Sequence, residues 1–280
     1  AAPSALATAP TGKALAAACA GREGWSDPAP PAKIFGNSYY VGTCGISVVL
    51  IDTPAGLVLI DAATEEAAPS ILANIRTLGF DPKNVRLLLT SHEHLDHVGG
   101  LKALQEATGA QVIARPEAAA ALTSGEPDAT DPQRGGIPPF RGVAVARTVL
   151  DGEMLEIEGL RLTVHATPGH TPGGTSWTWR SCEGSDCRTI AYVDSLSAVS
   201  ADGYRFVDHP DYVATFRATF AKVEALPCEI LITPHPGASN LFARLANPAT
   251  LANPESCRAY AAGARMRLAD RLASESTPPK

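Results

Sequence analysis

The chain has 280 residues, of which 45% are hydrophobic and 19% are charged, and its formal net charge is −6. This length and apolar content allow one large domain or two small ones with a substantial core. The acidic balance disfavours nucleic acid and anionic membranes as partners, because both require a basic face. No apolar run approaches the roughly 18 residues of a membrane span.

Strand and helix patterns alternate through the first half of the chain. Residues 1–30 are rich in Ala and Pro and have little pattern, which predicts an N-terminal arm. Beyond them, short apolar runs predict strands and apolar residues at helical spacing predict helices. The predicted strands are 34–41, 45–51, 57–61, 85–90 and 111–114, and the predicted helices are 64–78 with Thr64 as N-cap, 99–108 and 115–122.

The second half repeats this plan after a polar loop at 123–141, which is long enough to be functional or disordered. Sheet strands in both halves, with helices outside them, predict a helix–sheet–sheet–helix sandwich in a single α/β domain at 31–280, with related halves at 34–122 and 142–280. The strands of the second half are predicted at 143–149, 154–157, 160–166, 175–180, 189–194 and 229–233, and its helices at 211–226 and 254–273.

A histidine-rich run follows the strand predicted at 85–90. Three of the seven histidines, His92, His94 and His97, fall within six residues together with Asp96. On an extended segment His92 and His94 point the same way, and Asp96 and His97 follow where the chain should turn. Because imidazole and carboxylate are ordinary ligands of catalytic zinc, the run predicts two ligands for one metal and two for a neighbour. The density of the run disfavours a merely solvated loop.

Two further histidines follow strands directly. His170 lies in a Gly- and Pro-rich loop and His235 lies between two prolines. Loops at strand ends often carry functional sites, so both are predicted to be additional ligands. His165 and His209 are assigned structural or surface roles. Asp61 ends a buried strand and is either a helix-entry carboxylate or a group that orients a ligand histidine.

Six cysteines include no Cys-x-x-Cys pair, which disfavours a structural zinc site. Their even number predicts three disulfides and an oxidising compartment, with free thiols of a cytosolic protein as the alternative. Cys182 and Cys187 flank a turn-like tetrapeptide and are expected to pair locally; the other pairings stay open. The chain begins Ala-Ala-Pro without a basic segment, which is typical of a mature protein after signal removal.

These features together resemble the metallo-β-lactamase superfamily over roughly residues 34–240. The resemblance implies an αββα four-layer sandwich with a dinuclear metal site between the sheets. It is carried by Asp61, the His92-x-His94-x-Asp96-His97 run, His170 in Gly-His-Thr-Pro-Gly-Gly, Asp194 and His235. Finer similarity to the third subclass of class B enzymes lies in Tyr40–Ser47, Asp194–Ala198 and Pro234–Ser239. The secreted members of that subclass with three disulfides imply the pairs Cys19–Cys44, Cys182–Cys187 and Cys228–Cys257.

The resemblance also implies a reaction and the residues that carry it. Two Zn²⁺ ions would hold a hydroxide that attacks the β-lactam amide of penicillins, cephalosporins and carbapenems, which confers antibiotic resistance. Asp194 is not usually a ligand in the third subclass and is left out of the metal set. Ser195, Ser197 and Gln133 are expected to bind substrate. The first zinc would take His92, His94 and His170, and the second Asp96, His97 and His235; these six residues are also the predicted catalytic groups.

The main alternative is a dinuclear zinc hydrolase of a lactone or thioester, similar to glyoxalase II. In that type an aspartate at the Asp194 position bridges both metals, but an extra helical domain is present that would not fit after His235. A non-catalytic metal-binding protein on this scaffold would have a damaged ligand set, and none of the six positions is damaged here. We therefore expect a periplasmic or secreted monomer that binds a small β-lactam and neither nucleic acid nor a membrane.

Overall fold

The computed structural model describes residues 11–276, which form two β-sheets packed face to face. The first sheet has seven strands in chain order: β1 (Ala32–Phe35), β2 (Ser38–Tyr40), β3 (Val49–Thr53), β4 (Gly56–Ile60), β5 (Val85–Leu89), β6 (Gln111–Ala114) and β7 (Val145–Thr148). The second sheet has the order β12-β11-β10-β9-β8, with β8 (Met154–Ile157), β9 (Leu160–Ala166), β10 (Thr175–Glu183), β11 (Asp186–Tyr192) and β12 (Ile230–Ile232).

Helices pack on the outer faces of the sheets, except the first and the seventh, which pack against the apolar core between the sheets. They are α1 (Gly12–Ala18), α2 (Ala68–Thr77), α3 (Leu95–Val98), α4 (Leu101–Thr108), α5 (Pro116–Ser124), α6 (Pro210–Glu224), α7 (Leu241–Ala246) and α8 (Ser256–Ser276). Short 3₁₀ turns lie at Glu65–Ala67, Pro82–Asn84, Phe206–Asp208, Pro236–Ser239 and Pro248–Thr250. Within 11–276, none of these helices has both the length and the apolar character needed to cross a membrane.

Successive side chains along each strand point to opposite faces of the sheet, and this alternation produces the four layers. In β3, Val49 and Ile51 point into the core between the sheets, whereas Leu50 points outward against the helices of the first sheet. On the far side, α6 and α8 pack on the second sheet through a separate apolar cluster that includes Phe216 and Phe220. The αββα sandwich expected from the sequence is therefore confirmed.

The strand directions place several loops at one edge of the sandwich. The pairs β4–β5 and β11–β12 are both parallel, so their carboxyl ends emerge together within each sheet. Ligands of α/β proteins commonly bind at such edges. The residues that follow these four strands include Asp61, His92, Asp194 and His235.

Three local predictions were wrong or incomplete. The stretch predicted to be an unpatterned arm contains α1, whose Leu15 is fully buried and whose cap is the Thr11 hydroxyl; residues 1–10 of that arm lie outside the described residues. Thr64 does not cap the following turn, because its hydroxyl is 2.7 Å from the Ser26 hydroxyl instead. Helix α7 was not predicted, since its six residues are too few to show a period.

The three disulfides are Cys19–Cys44, Cys182–Cys187 and Cys228–Cys257, the pairs that the family resemblance implies. The first ties the segment after α1 to the loop before β3. The second crosses the β10–β11 hairpin, where Cys182 and Cys187 face each other in register. The third joins the segment before β12 to α8, and so holds the outer helix layer on the second sheet.

Removing the Cys228–Cys257 bond should destabilise the protein more than removing the Cys182–Cys187 bond. The two bonds span 29 and 5 residues, and a cross-link stabilises by restricting the unfolded chain, more so for longer loops. We expect paired Cys→Ala variants to lose about 3–4 and about 2 kcal/mol, respectively, in the free energy of unfolding. Urea denaturation measures both, and equal losses would contradict the loop-length argument.

Candidate metal centre

The histidine run leaves β5 and is held against the second sheet by backbone contacts. The Thr175 N–H donates to the Ser91 carbonyl at 2.7 Å, and the indole Nε1 of Trp177 donates to the Thr90 carbonyl at 2.9 Å. Trp177 is fully buried. These bonds join the two sheets where the predicted ligands converge.

Three imidazoles form a first cluster in which His92, His94 and His170 are all buried. One ring nitrogen from each lies within 4.8 Å of the others, so the three could hold a single metal ion. In each ring the second nitrogen contacts an oxygen acceptor, which fixes the tautomer and orientation. These contacts are His92 Nδ1 to Asp194 Oδ1 at 2.7 Å, His94 Nε2 to Asp131 Oδ2 at 2.8 Å and His170 Nδ1 to the Ser197 carbonyl at 2.9 Å.

Asp96, His97 and His235 form a second cluster beside the first. Asp96 Oδ2 lies 3.0 Å from His97 Nε2 and 3.3 Å from His235 Nε2, and the two Nε2 atoms are 3.3 Å apart. Asp96 and His97 belong to the short helix α3, and both are buried. The His235 side chain is 39% exposed, so this cluster opens to solvent.

The spacing and the unpaired atoms fit metal ions. Tetrahedral zinc with ligand distances of about 2.0–2.1 Å places its ligand atoms about 3.3 Å apart, close to the separations in the second cluster. In the first cluster, His92 Nε2 is buried and has no hydrogen-bond partner among residues 11–276. An unpaired buried nitrogen is costly unless a ligand completes it. Nitrogen and oxygen donors at these positions suit zinc.

The ionisation of the histidines differs between the clusters. Burial lowers the pKa of His92 well below its usual value and that of His170 to about 3, so both rings are neutral and can bind metal. Burial also disfavours the charged form of His97, but the carboxylates of Asp96 and Asp61 outweigh it and raise the pKa of His97 to about 10. Metal entering the second cluster must therefore displace a proton from His97.

Asp61 lies behind the second cluster and organises the start of the histidine run. Its carboxylate accepts hydrogen bonds from the Ser91 N–H at 2.6 Å, the Ser91 hydroxyl at 2.7 Å and the Tyr192 hydroxyl at 2.7 Å. Its Oδ2 is 3.4 Å from His97 Nδ1, an ionic contact without hydrogen-bond geometry, since that nitrogen has no hydrogen-bond partner in the described chain. From the sequence, Asp61 is expected to be either a helix-entry carboxylate or a group that orients a ligand histidine. These contacts favour the second role.

Glu93 connects the histidine run to the loop that carries His170. Its buried carboxylate accepts the Thr171 hydroxyl and the Gly173 N–H, both at 2.8 Å. A Cβ on residue 173 would lie 2.6 Å from Glu93 Oε2 and 2.5 Å from the Ala118 side chain, so only glycine fits there. Glycine at position 173 thus allows the backbone of the loop that carries His170 to lie against the Glu93 side chain.

The predicted substrate residues also lie at this edge. Gln133 Nε2 is 3.4 Å from His170 Nε2, and the Ser197 hydroxyl is 3.2 Å from His170 Nδ1. Ser195 is buried directly after Asp194. Sequence patterns assign no role to Asp131 or Glu93, because the contact of Asp131 with His94 and that of Glu93 with Gly173 join residues far apart in the chain.

The fold and the paired clusters define a member of a known family. The model of the metallo-beta-lactamase superfamily matches residues 41–182, and the chain belongs to that superfamily. Among solved structures it is similar to the metallo-β-lactamase MIM-1 from Novosphingobium pentaromativorans, with 53% identity, a TM-score of 0.92 and coverage of 94% of this chain and 98% of that one. BJP-1, a subclass B3 metallo-β-lactamase of Bradyrhizobium japonicum, is 32% identical with a TM-score of 0.80, covering 90% and 97%.

Curated relatives include hydroxyacylglutathione hydrolases at lower similarity. The protein from Brucella anthropi is 28% identical over 82% of this chain and 75% of its own length. The protein from Mesorhizobium japonicum is 33% identical over 46% of this chain, and the match spans only 41% of that relative. The similarity to MIM-1 and BJP-1 therefore covers more of both chains than the similarity to either hydroxyacylglutathione hydrolase.

Proposed function

We propose that the protein is a dinuclear zinc β-lactamase that hydrolyses the amide bond of penicillins, cephalosporins and carbapenems, and so confers antibiotic resistance. The observation that carries the proposal is the pair of adjoining clusters, each of which brings three possible zinc ligands together. Similarity to MIM-1 over nearly the whole chain supports the same conclusion. Three disulfides support a periplasmic or secreted location.

The six proposed ligands would hold two zinc ions, three residues each. Zinc supplies the Lewis acidity that activates water near neutral pH and polarises a carbonyl. The protein contributes preorganisation: Asp194, Asp131 and the Ser197 carbonyl each hold one ring of the first cluster through one nitrogen, so that its other nitrogen faces the cluster. His235 stands at the exposed side, so substrate is expected to approach over the second cluster.

Polar groups around the clusters suit the shape of a β-lactam, which has a carboxylate beside the ring nitrogen. Ser195 and Ser197 are placed after β11 and are proposed to donate hydrogen bonds to that carboxylate. The Gln133 amide lies over the metal-facing nitrogen of His170 at 3.4 Å and is proposed to contact the substrate near the scissile bond. Ser197 has a second role, because its carbonyl orients His170.

The alternative, a thioester hydrolase, is supported by the curated relatives. In the glyoxalase II type, the aspartate at the Asp194 position bridges the metals. Here Asp194 Oδ1 lies behind the metal-binding atoms, against His92 Nδ1 at 2.7 Å. This contact supports an orienting role for Oδ1 of Asp194, whereas Oδ2 is buried without a hydrogen-bond partner among residues 11–276. The β-lactamase assignment is supported over the alternative by the similarity to MIM-1, which extends over nearly all of both chains.

Zinc-loaded protein is expected to hydrolyse nitrocefin and a carbapenem far faster than S-lactoylglutathione or an acyl lactone. A chelator should abolish the β-lactam turnover, and added zinc should restore it. Ultraviolet and visible absorbance assays on the same preparation compare the substrates directly. Turnover of the thioester without turnover of any β-lactam would reverse the assignment, and binding of less than one zinc per chain would contradict both hydrolase functions.

A further inference from the structure

The loop at 123–141 reaches the metal centre through two buried residues. Asp131 and Gln133 are almost completely buried, although Arg134 and Gly135, which follow at once, are exposed. The loop is also joined to the segment after β11, where the Ala201 N–H donates to the Pro132 carbonyl at 2.8 Å. Burying a carboxylate costs free energy unless hydrogen bonds or ion pairs compensate for it, so the partners of Asp131 must explain its burial.

The two carboxylate oxygens of Asp131 have different partners. Oδ2 lies 2.8 Å from Nε2 of His94, a proposed metal ligand. Oδ1 accepts the Gln133 backbone N–H at 2.7 Å and so closes the turn in which Gln133 sits. Gln133 in turn places its amide 3.4 Å from His170 Nε2. One carboxylate therefore contacts both a ligand of the first cluster and the loop above that cluster.

We propose that Asp131 is a positioning residue that couples zinc occupancy of the first cluster to the arrangement of the 123–141 loop. The inference rests on the metal centre proposed above. A carboxylate on the second nitrogen of a ligand histidine sets its tautomer and makes it a better donor. His94 can then present Nδ1 to the metal while Asp131 holds the loop. Because the coupling is reciprocal, zinc stabilises the ordered loop as much as the ordered loop stabilises zinc.

Three variants separate this coupling from ordinary loop stabilisation. Asp131→Ala removes both contacts. Asp131→Asn can keep an acceptor for the Gln133 N–H but lacks the charge on His94. Asp128→Ala is the matched control, because its carboxylate bonds the Thr130 N–H and hydroxyl within the same loop and contacts none of the six proposed ligands. Far-UV circular dichroism confirms that each variant is folded before comparison.

Two measurements that do not depend on activity test the proposal. Competition with a chromogenic chelator gives zinc affinity, and we expect Asp131→Ala to bind the first zinc about 10–100-fold more weakly. Trypsin cleavage after Arg134, mapped by mass spectrometry, reports the loop. Zinc should slow this cleavage in the unmodified protein and in Asp128→Ala but not in Asp131→Ala. Asp131→Asn should lose zinc affinity while its loop remains protected better than that of Asp131→Ala.

Unchanged zinc affinity and unchanged zinc-dependent protection in Asp131→Ala would overturn the coupling while leaving the metal centre intact. Equal effects of Asp128→Ala and Asp131→Ala on both readouts would also overturn it, since the loop alone would then be responsible. Absence of zinc binding by the unmodified protein would instead contradict the proposed function itself. The two failures are therefore distinguishable in one series of experiments.

Discussion

The variant Asp96→Ala is expected to retain one tightly bound zinc instead of two and to hydrolyse β-lactams about 10²–10³-fold more slowly, the usual cost of losing one preorganised electrostatic group. Asp96 supplies the only carboxylate among the six proposed ligands. Its oxygen is 3.0 Å from His97 Nε2 and 3.3 Å from His235 Nε2. Two imidazoles would remain, one of them substantially exposed, and these are too few to hold the second zinc tightly.

The first cluster should be nearly unaffected by this substitution, because its three histidines are anchored elsewhere. Metal analysis after dialysis against limiting chelator counts the ions, and steady-state kinetics with nitrocefin measures the rate. Asp202→Ala, at an exposed aspartate, should retain both metals and full activity. Loss of both zinc ions together in Asp96→Ala would contradict the division of the histidine run between two sites.

The variant Asp61→Ala is expected to lose about 3–5 kcal/mol in the free energy of unfolding, the range for removing one partner from a buried charged network. The carboxylate is fully buried and accepts three hydrogen bonds from Ser91 and Tyr192. Its removal leaves the Ser91 N–H without an acceptor in a buried site, whereas the Tyr192 hydroxyl can still donate to the Ser47 carbonyl at 3.0 Å. Asp61 also has φ of 65°, a left-handed conformation that alanine tolerates less well than aspartate.

Asp61→Asn separates the charge from the backbone effect, because asparagine also tolerates positive φ. We expect it to be more stable than Asp61→Ala but less stable than the original protein. The asparagine NH₂ group would face a hydrogen-bond donor of Ser91 or Tyr192 where the carboxylate accepts a hydrogen bond. Urea denaturation of the metal-free protein provides the comparison, with Asp202→Ala expected within about 0.5 kcal/mol of the original. A similarly small change in Asp61→Ala would show that the network contributes little.

The sequence predicted the fold well, and the residues that it proposed as ligands lie close together in the structure, because both depend on short patterns. Apolar runs and glycine turns predicted most strands, and the density of the histidine run predicted a metal centre. The long-range contacts had no such signal. Asp131 and His94 are 37 residues apart, and Glu93 reaches Gly173 across 80 residues. Such pairs become visible only when both sheets are assembled.

Two local errors have the same origin. The segment around Leu15 is so rich in alanine that it shows no contrast between faces, and packing against α7 and the first sheet reveals it as a helix. Thr64 has the residue type of an N-cap, but the Ser26 hydroxyl, 38 residues away, occupies its side chain. In both cases tertiary contacts outweighed local preference.

Each cluster takes side chains from loops of both sheets: His170 completes the first and His235 the second, whereas the other four residues follow β5. Zinc bound at the proposed sites would therefore link the two halves of the domain, and the sites would exist only when the halves are packed together. Binding to the folded state alone adds about 2.7 kcal/mol of stability for each site at a ligand concentration 100 times its dissociation constant. At low zinc concentration the protein would lose both the zinc ions that the proposed activity requires and this link between its halves. Its resistance to proteases would then depend on zinc, as the proposed activity does.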